Sequence, residues 1–150
     1  MDVYELERDA SFEIRKQIAQ LLTKQRISNE NSGTFDQIMT GIHLALEQED
    51  TAYIVVAELD EEIVGIAFFN IGVSLARGGQ YMWLNELYVQ EDLRNKGIAR
   101  KLLLHVVHWA ERTGIKSIEL ETGINNVVTK HIYNSLGFYE VVSKRYGFSF

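Results

Sequence analysis

Between residues 80 and 121 the chain carries a strand pattern, a basic turn, a long helix pattern and a second strand pattern, in that order. This segment limits the fold more than any other. QYMWLNELYV (80–89) is rich in aromatic and branched apolar residues, as strands are. NKGIARKLLLHVVHWAERTG (95–114) follows the helical period, with Ile98, Leu102, Val106, Trp109 and Ala110 on one face and Gly114 as its stop. KSIELETG (116–123) again reads as a strand. A strand–helix–strand unit of this length predicts a parallel strand pair joined by a right-handed crossover, with the helix packed on the sheet.

The segments around this unit extend the sheet. VYELE (3–7) is a short strand candidate. Residues 9–24 read as a helix with Ile14, Ile18, Leu21 and Leu22 on one face and either Asp9 or Ser11 as cap. ISNENSG (27–33) is loop, and residues 34–48 form a second helix with Phe35, Ile38, Met39, Ile42, Ala45 and Leu46 in register. Residues 51–59 and 62–73 read as two strands joined by the tight acidic turn Asp60–Glu61. Their apolar residues fall on both faces, so the sheet should be covered on both sides. NNVVTKHIYNSLG (125–137) is a short helix capped by Asn125 or Asn126 and stopped by Gly137. FYEVVSKRYGFSF (138–150) should return as a strand with a kink at Gly147. The predicted order is βααβββαβαβ, an α/β (α+β) fold with a mixed sheet flanked by helices. A chain of 150 residues, 46% apolar, suits one domain spanning 1–150.

Composition narrows the function. The chain has no cysteine, which removes disulfides, thiolate metal sites and cysteine nucleophiles together. The formal net charge of −6 is a poor match for nucleic acid. The acidic start MDVYELERDA lacks the apolar core of a signal peptide, and no apolar stretch is long enough to span a bilayer. The expectation is a cytoplasmic protein without nucleic-acid or membrane partners. His105 and His108 lie three residues apart on one helix, but no third ligand has supporting spacing, so no metal is expected.

The turn before the long helix, LRNKGIARKL (93–102), is neither a Walker A loop nor a dinucleotide fingerprint. The first N–H groups of a helix lack internal partners, and the helix dipole makes that end positive. Gly97 lets a ligand approach the backbone, Ala99 is the next smallest choice, Arg94 can add a forked contact, and Lys96 or Arg100 a further cation. The physics describes either a phosphate site or an ordinary strand-to-helix turn with solvated cations.

LNELYVQEDLRNKGIARKLL resembles the acyl-CoA signature of the GNAT family of N-acetyltransferases, Arg/Gln-x-x-Gly-x-Gly/Ala, at Arg94, Gly97 and Ala99. NNVVTKHIYNSLGF is similar to that family's downstream Asn-x-x-Ala-x-x-Leu-Tyr-x-x-x-Gly-Phe at Asn126, Tyr133, Gly137 and Phe138. Thr129 replaces the usual alanine and Ile132 the usual leucine. Two motifs in order on the expected elements outweigh either alone.

The resemblance implies a mixed, mostly antiparallel sheet of six to seven strands flanked by four helices, with two splayed central parallel strands. It implies acetyl-CoA as co-substrate in that splay. The backbone of Leu87, Tyr88 and Val89 would pair with the pantetheine arm. The N–H groups of Arg94, Asn95, Lys96, Gly97, Ile98 and Ala99 would hold the pyrophosphate with Arg100 nearby, and Asn126 would contact the arm or fix its loop. Tyr133 stands where the family places a general acid, though a core tyrosine would look the same in sequence. Glu86 is either the base, a ligand for a cationic amine or a carboxylate in a salt bridge. The implied reaction is direct acetyl transfer to a primary amine, a small cationic amine being favoured over a protein. An acyl-CoA-binding sensor or a transferase of longer acyl chains are the alternatives, and a homodimer is left open. The acceptor pocket is expected from the first two helices and residues 24–36.

Overall fold

The computed structural model describes residues 1–25, 33–121 and 127–150, the side chains of 127–129 excepted. The elements are β1 (Asp2–Glu5), α1 (Phe12–Gln25), α2 (Phe35–Glu47), β2 (Ala52–Leu59), β3 (Glu62–Ser74), β4 (Gly79–Val89), α3 (Ile98–Arg112), β5 (Ile118–Leu120) and α4 (Val127–Ser135), with a turn of 3-10 helix at Glu91–Leu93. The strands form one sheet in the order β1-β2-β3-β4-β5. Neighbours are antiparallel except β4 and β5, which are parallel and joined through α3.

The two faces of the sheet carry separate cores. Alternation along β2 sends Ile54 and Val56 to the side covered by Ile18, Leu22, Ile42 and Leu46 of α1 and α2. Val55 and Ala57 go to the opposite side, under Leu102, Leu103 and Val106 of α3. The central strands are apolar on both faces because both faces are covered. Trp109, half-buried on α3, packs its ring against Tyr53 at 4.7 Å and Phe69 at 5.0 Å.

The predicted start and turn signals act as expected. Ser11, not Asp9, caps α1: its Oγ accepts from the Ile14 N–H at 3.3 Å. Thr34 and Gln37 form a reciprocal capping box at α2. Asp60 and Glu61 both have positive φ (51° and 65°), the geometry of a primed two-residue hairpin turn.

Two parts of the expected architecture differ. The described sheet has five strands, not six to seven, because residues 138–150 join no ladder. A strand is stable only when its backbone groups are paired and one face is covered. Here Tyr139, Val142, Tyr146 and Phe148 are all exposed. The segment is tied back through Arg145, which pairs with Glu121 and lies over the Trp83 ring at 5.9 Å. The long helix also begins at Ile98 rather than Asn95, since Asn95 (φ 65°) and Gly97 (φ 82°) lie outside helical backbone space.

Arg8 fastens the end of α2. Its guanidinium donates to the carbonyls of Ala45 at 3.0 Å, Gln48 at 3.2 Å and Glu49 at 2.8 Å, and lies over the Tyr53 ring at 4.9 Å. The Ala45 carbonyl also accepts from the Gln48 N–H at the C-cap, so Arg8 reinforces an end already closed by that bond, and a cation there suits the dipole. Arg8→Ala is expected to cost about 1–2 kcal/mol, allowing for partial exposure. Arg8→Lys should not restore it, because one ammonium cannot span the fork. Thermal unfolding checks this, and an unchanged melting temperature for Arg8→Ala would contradict it.

Candidate active site

The site is organised by an irregularity in β4. Along the β3–β4 ladder Phe68 pairs with Glu86, but Phe69 pairs with Leu84, so β4 carries one extra residue. Such a bulge reverses which face the following side chains meet. Met82 and Leu84 point into the α3 core, whereas Tyr88, of the same parity, points into the α1/α2 core. Leu87 and Val89 now face α3. Glu86 is turned to the α1/α2 side, in a cross-strand row with Phe68 and Ile54. The Asn85 side chain meets that of Asn70 at 2.7 Å.

The bulge coincides with the end of the parallel ladder. β4 pairs with β5 only through Met82–Ile118, Trp83–Glu119 and Leu84–Leu120, yet β4 runs on to Val89. Past Leu84, the β5-facing edge of β4 has no strand partner among the described residues. β5 itself is described only as far as Leu120, so β4 outruns it toward the turn before α3. Leu87 and Val89 turn main-chain groups to this edge, where an extended ligand can pair, while Tyr88 turns its own to Ile66 of β3.

That edge leads into the turn before α3. Arg94 folds back, its Nε donating to the Val89 carbonyl at 3.3 Å and its guanidinium lying over the Tyr88 ring at 5.2 Å. Asn95, Lys96 and Gly97 are exposed. Gly97 is the N-cap of α3 and provides no side-chain cap, and the first helical bond runs from the Lys101 N–H to the Gly97 carbonyl. The N–H groups of Ile98, Ala99 and Arg100 therefore lack helical partners. The left-handed backbone of Gly97 excludes most other residues, and a Cβ built there meets nothing within 4 Å. The loop is thus open and positive. Ile98 is buried and contributes to the core through its side chain. Arg100 is engaged elsewhere, donating to Ser135 Oγ at 2.8 Å and so tying α3 to α4.

Tyr133 lies on the opposite face of the sheet from Glu86. It is 8% exposed, within the α3-side core that also contains Leu84, Leu87 and Leu120. A helix-ending motif fixes it. Gly137 takes left-handed backbone (φ 94°), the Phe138 N–H donates to the Tyr133 carbonyl at 3.1 Å, and the Gly137 N–H to the Asn134 carbonyl at 3.2 Å. The Tyr133 and Phe138 rings then meet at 5.6 Å. The Tyr-x-x-x-Gly-Phe spacing is the spacing of this cap. Burial pushes the phenol pKa up to about 12, so the hydroxyl keeps its proton near neutral pH and is a donor, not a base.

β4 and the adjoining turn bring Glu86, Leu87, Tyr88, Val89 and residues 94–99 together, with Tyr133 on the α3 side. Asn126 lies outside the described residues. Among the described residues no cluster of three or more His, Cys, Asp or Glu could hold a metal ion. His105 is half-buried, and burial with the nearby Arg112 holds its pKa below the usual histidine value.

A cavity of about 330 Å³ lies between α2 and the sheet, with Leu22 of α1 in its lining and Glu86 facing into it; the sequence points to the first two helices for a pocket, but not to the wall from β2, β3 and β4. No described helix is long and apolar enough to cross a membrane.

Residues 4–138 match the model of the acetyltransferase (GNAT) family. A 62-residue stretch is 32% identical to the [ribosomal protein bS18]-alanine N-acetyltransferase of Escherichia coli K12, covering 41% of this chain and 42% of that protein. The chain thus aligns with less than half the length of the curated relatives it matches. A probable acetyltransferase of solved structure superposes with a TM-score of 0.83 at 24% identity, over 100% of this chain and 98% of that one. The aminoglycoside antibiotic 6'-N-acetyltransferase AAC(6')-IG of Acinetobacter haemolyticus superposes with a TM-score of 0.76 at 19% identity, over 99% and 98%. At these identities the structures share the fold.

Proposed function

The chain belongs to the acetyltransferase (GNAT) family, and from that premise we propose that it transfers an acetyl group from acetyl-CoA directly to a primary amine. The observation that carries the reading is the edge of β4 past Leu84, without a strand partner among the described residues, running into the open, positive start of α3. An extended arm ending in a pyrophosphate matches that shape and charge. Main-chain groups of Leu87 and Val89 would hold the arm, with Tyr88 between them, and the N–H groups of residues 94–99 the phosphates. Asn126 is proposed for the same arm by resemblance alone.

Acetyl-CoA supplies a thioester whose carbonyl carbon accepts the amine lone pair. The chain's own residues do the rest. Glu86 holds the amine at the splay and draws its proton. A main-chain N–H near Leu87 meets the negative charge that builds on the carbonyl oxygen. Tyr133 donates its proton to the departing sulfur, a role that suits a phenol kept protonated by burial.

The reading is tested by amine-dependent release of free thiol from acetyl-CoA. Within it, Glu86→Gln keeps the shape and removes the charge. We expect amine turnover to fall by about 10²-fold or more, with acetyl-CoA affinity unchanged to within about 1 kcal/mol. Kinetics against the amine and calorimetry against acetyl-CoA separate the two. An equal loss of both would make Glu86 structural.

A further inference from the structure

We infer that the acceptor is a primary amine on a compact apolar body, bound in the cavity between α2 and the sheet. The inference rests on the transferase reading and deepens it. The cavity, about 330 Å³, falls in the range of small-molecule sites. Among its described lining residues the polar side chains are Gln48, Asn70 and Glu86, the last being the only carboxylate. Glu86 reaches it because the β4 bulge turns that residue away from α3. Ile54, Ile66 and Phe68 form the sheet-side wall. One ammonium at Glu86 with carbon behind it fits this lining. A polyamine or aminoglycoside would press further ammonium groups against carbon, where desolvation is not repaid.

Gly41 is the second, independent observation. It sits inside α2, where glycine costs about 1 kcal/mol relative to alanine. Among the described residues no packing explains it, since a Cβ there meets nothing within 4 Å. It lines the cavity with Leu44, which is 53% exposed and three residues along the same helix face. The absent side chain keeps the cavity open toward an apolar rim, and an apolar ligand would cover both.

The test is thiol release from acetyl-CoA with the n-alkylamines from propylamine to hexylamine, beside spermidine and kanamycin. kcat/KM should rise about fourfold per methylene, or about 0.8 kcal/mol, until the cavity is full, and the two polycations should be poorer than hexylamine. Gly41→Leu should fill the cavity, keep or raise the melting temperature and keep acetyl-CoA affinity. It should lower kcat/KM for hexylamine by at least about tenfold and flatten the series. A flat series in the parent, with spermidine or kanamycin turned over better, overturns the inference and leaves the transferase reading standing. If no amine is turned over, the transferase reading fails, and the cavity is judged by binding alone. Hexylamine must then raise the melting temperature of the parent and not of Gly41→Leu; any other result overturns the inference too.

Discussion

Tyr133→Phe is expected to lower kcat by about 10²–10⁴-fold, the usual contribution of a positioned acid. The ring stays, with its contact to Phe138 at 5.6 Å, so the fold should survive. Acetyl-CoA affinity should change little, because a proton donor to the sulfur matters most as thiolate charge develops. Steady-state kinetics with the melting temperature alongside decide it. A kcat within about threefold of the parent, roughly 0.7 kcal/mol, would return Tyr133 to a packing role. The same residue has an alkaline signature. Its pKa is raised by burial from 10.0 to about 12. Below pH 10 the phenol is protonated in both folded and unfolded chains and adds no pH dependence. Between about 10 and 12 the unfolded chain releases the proton while the folded one retains it. Stability should therefore fall as pH rises through that window, and Tyr133→Phe should lack this component.

Gly97→Glu should weaken acetyl-CoA binding by at least about 100-fold, or about 2.7 kcal/mol. Gly97 has φ 82° and open space above it, so a longer side chain would project into the opening proposed for the phosphates. A carboxylate at a helix N-terminus suits the dipole, so the helix itself is not set against the change. Gly97→Ala is the control for backbone strain, at about 1–2 kcal/mol. If glutamate weakens binding no more than alanine does, strain explains the effect. Unchanged affinity in Gly97→Glu would remove the loop from the site.

Much of this arrangement is legible in the residues. The α3 stripe from Ile98 to Ala110 and the turn Asp60–Glu61 follow from period and turn chemistry. The bulge is not marked in MWLNELYV, because both parities are apolar, Met82, Leu84 and Tyr88 on one and Trp83, Leu87 and Val89 on the other. Nor is the later helix start, because only the left-handed backbone at Asn95 and Gly97 delays it. Residues 138–150 look like a strand by composition, but pairing depends on a partner elsewhere in the chain. Gly41 reads as a neutral member of an amphipathic helix. Its meaning lies in the empty volume above it, which depends on β2, β3 and β4 as much as on α2.

Transfer of an acetyl group from acetyl-CoA to an amine nitrogen can be followed atom by atom. The most direct measurement incubates the protein with acetyl-CoA labelled with carbon-13 in its acetyl group and a mixture of primary amines, then follows free thiol and labelled amides by mass spectrometry. Labelled N-acetyl product should appear in one-to-one proportion with released thiol, both depending on amine and both lost in Tyr133→Phe. Acetyl-CoA binding with no labelled amide and no amine-dependent thiol would contradict acetyl transfer, and would make the chain an acyl-CoA-binding module rather than a transferase.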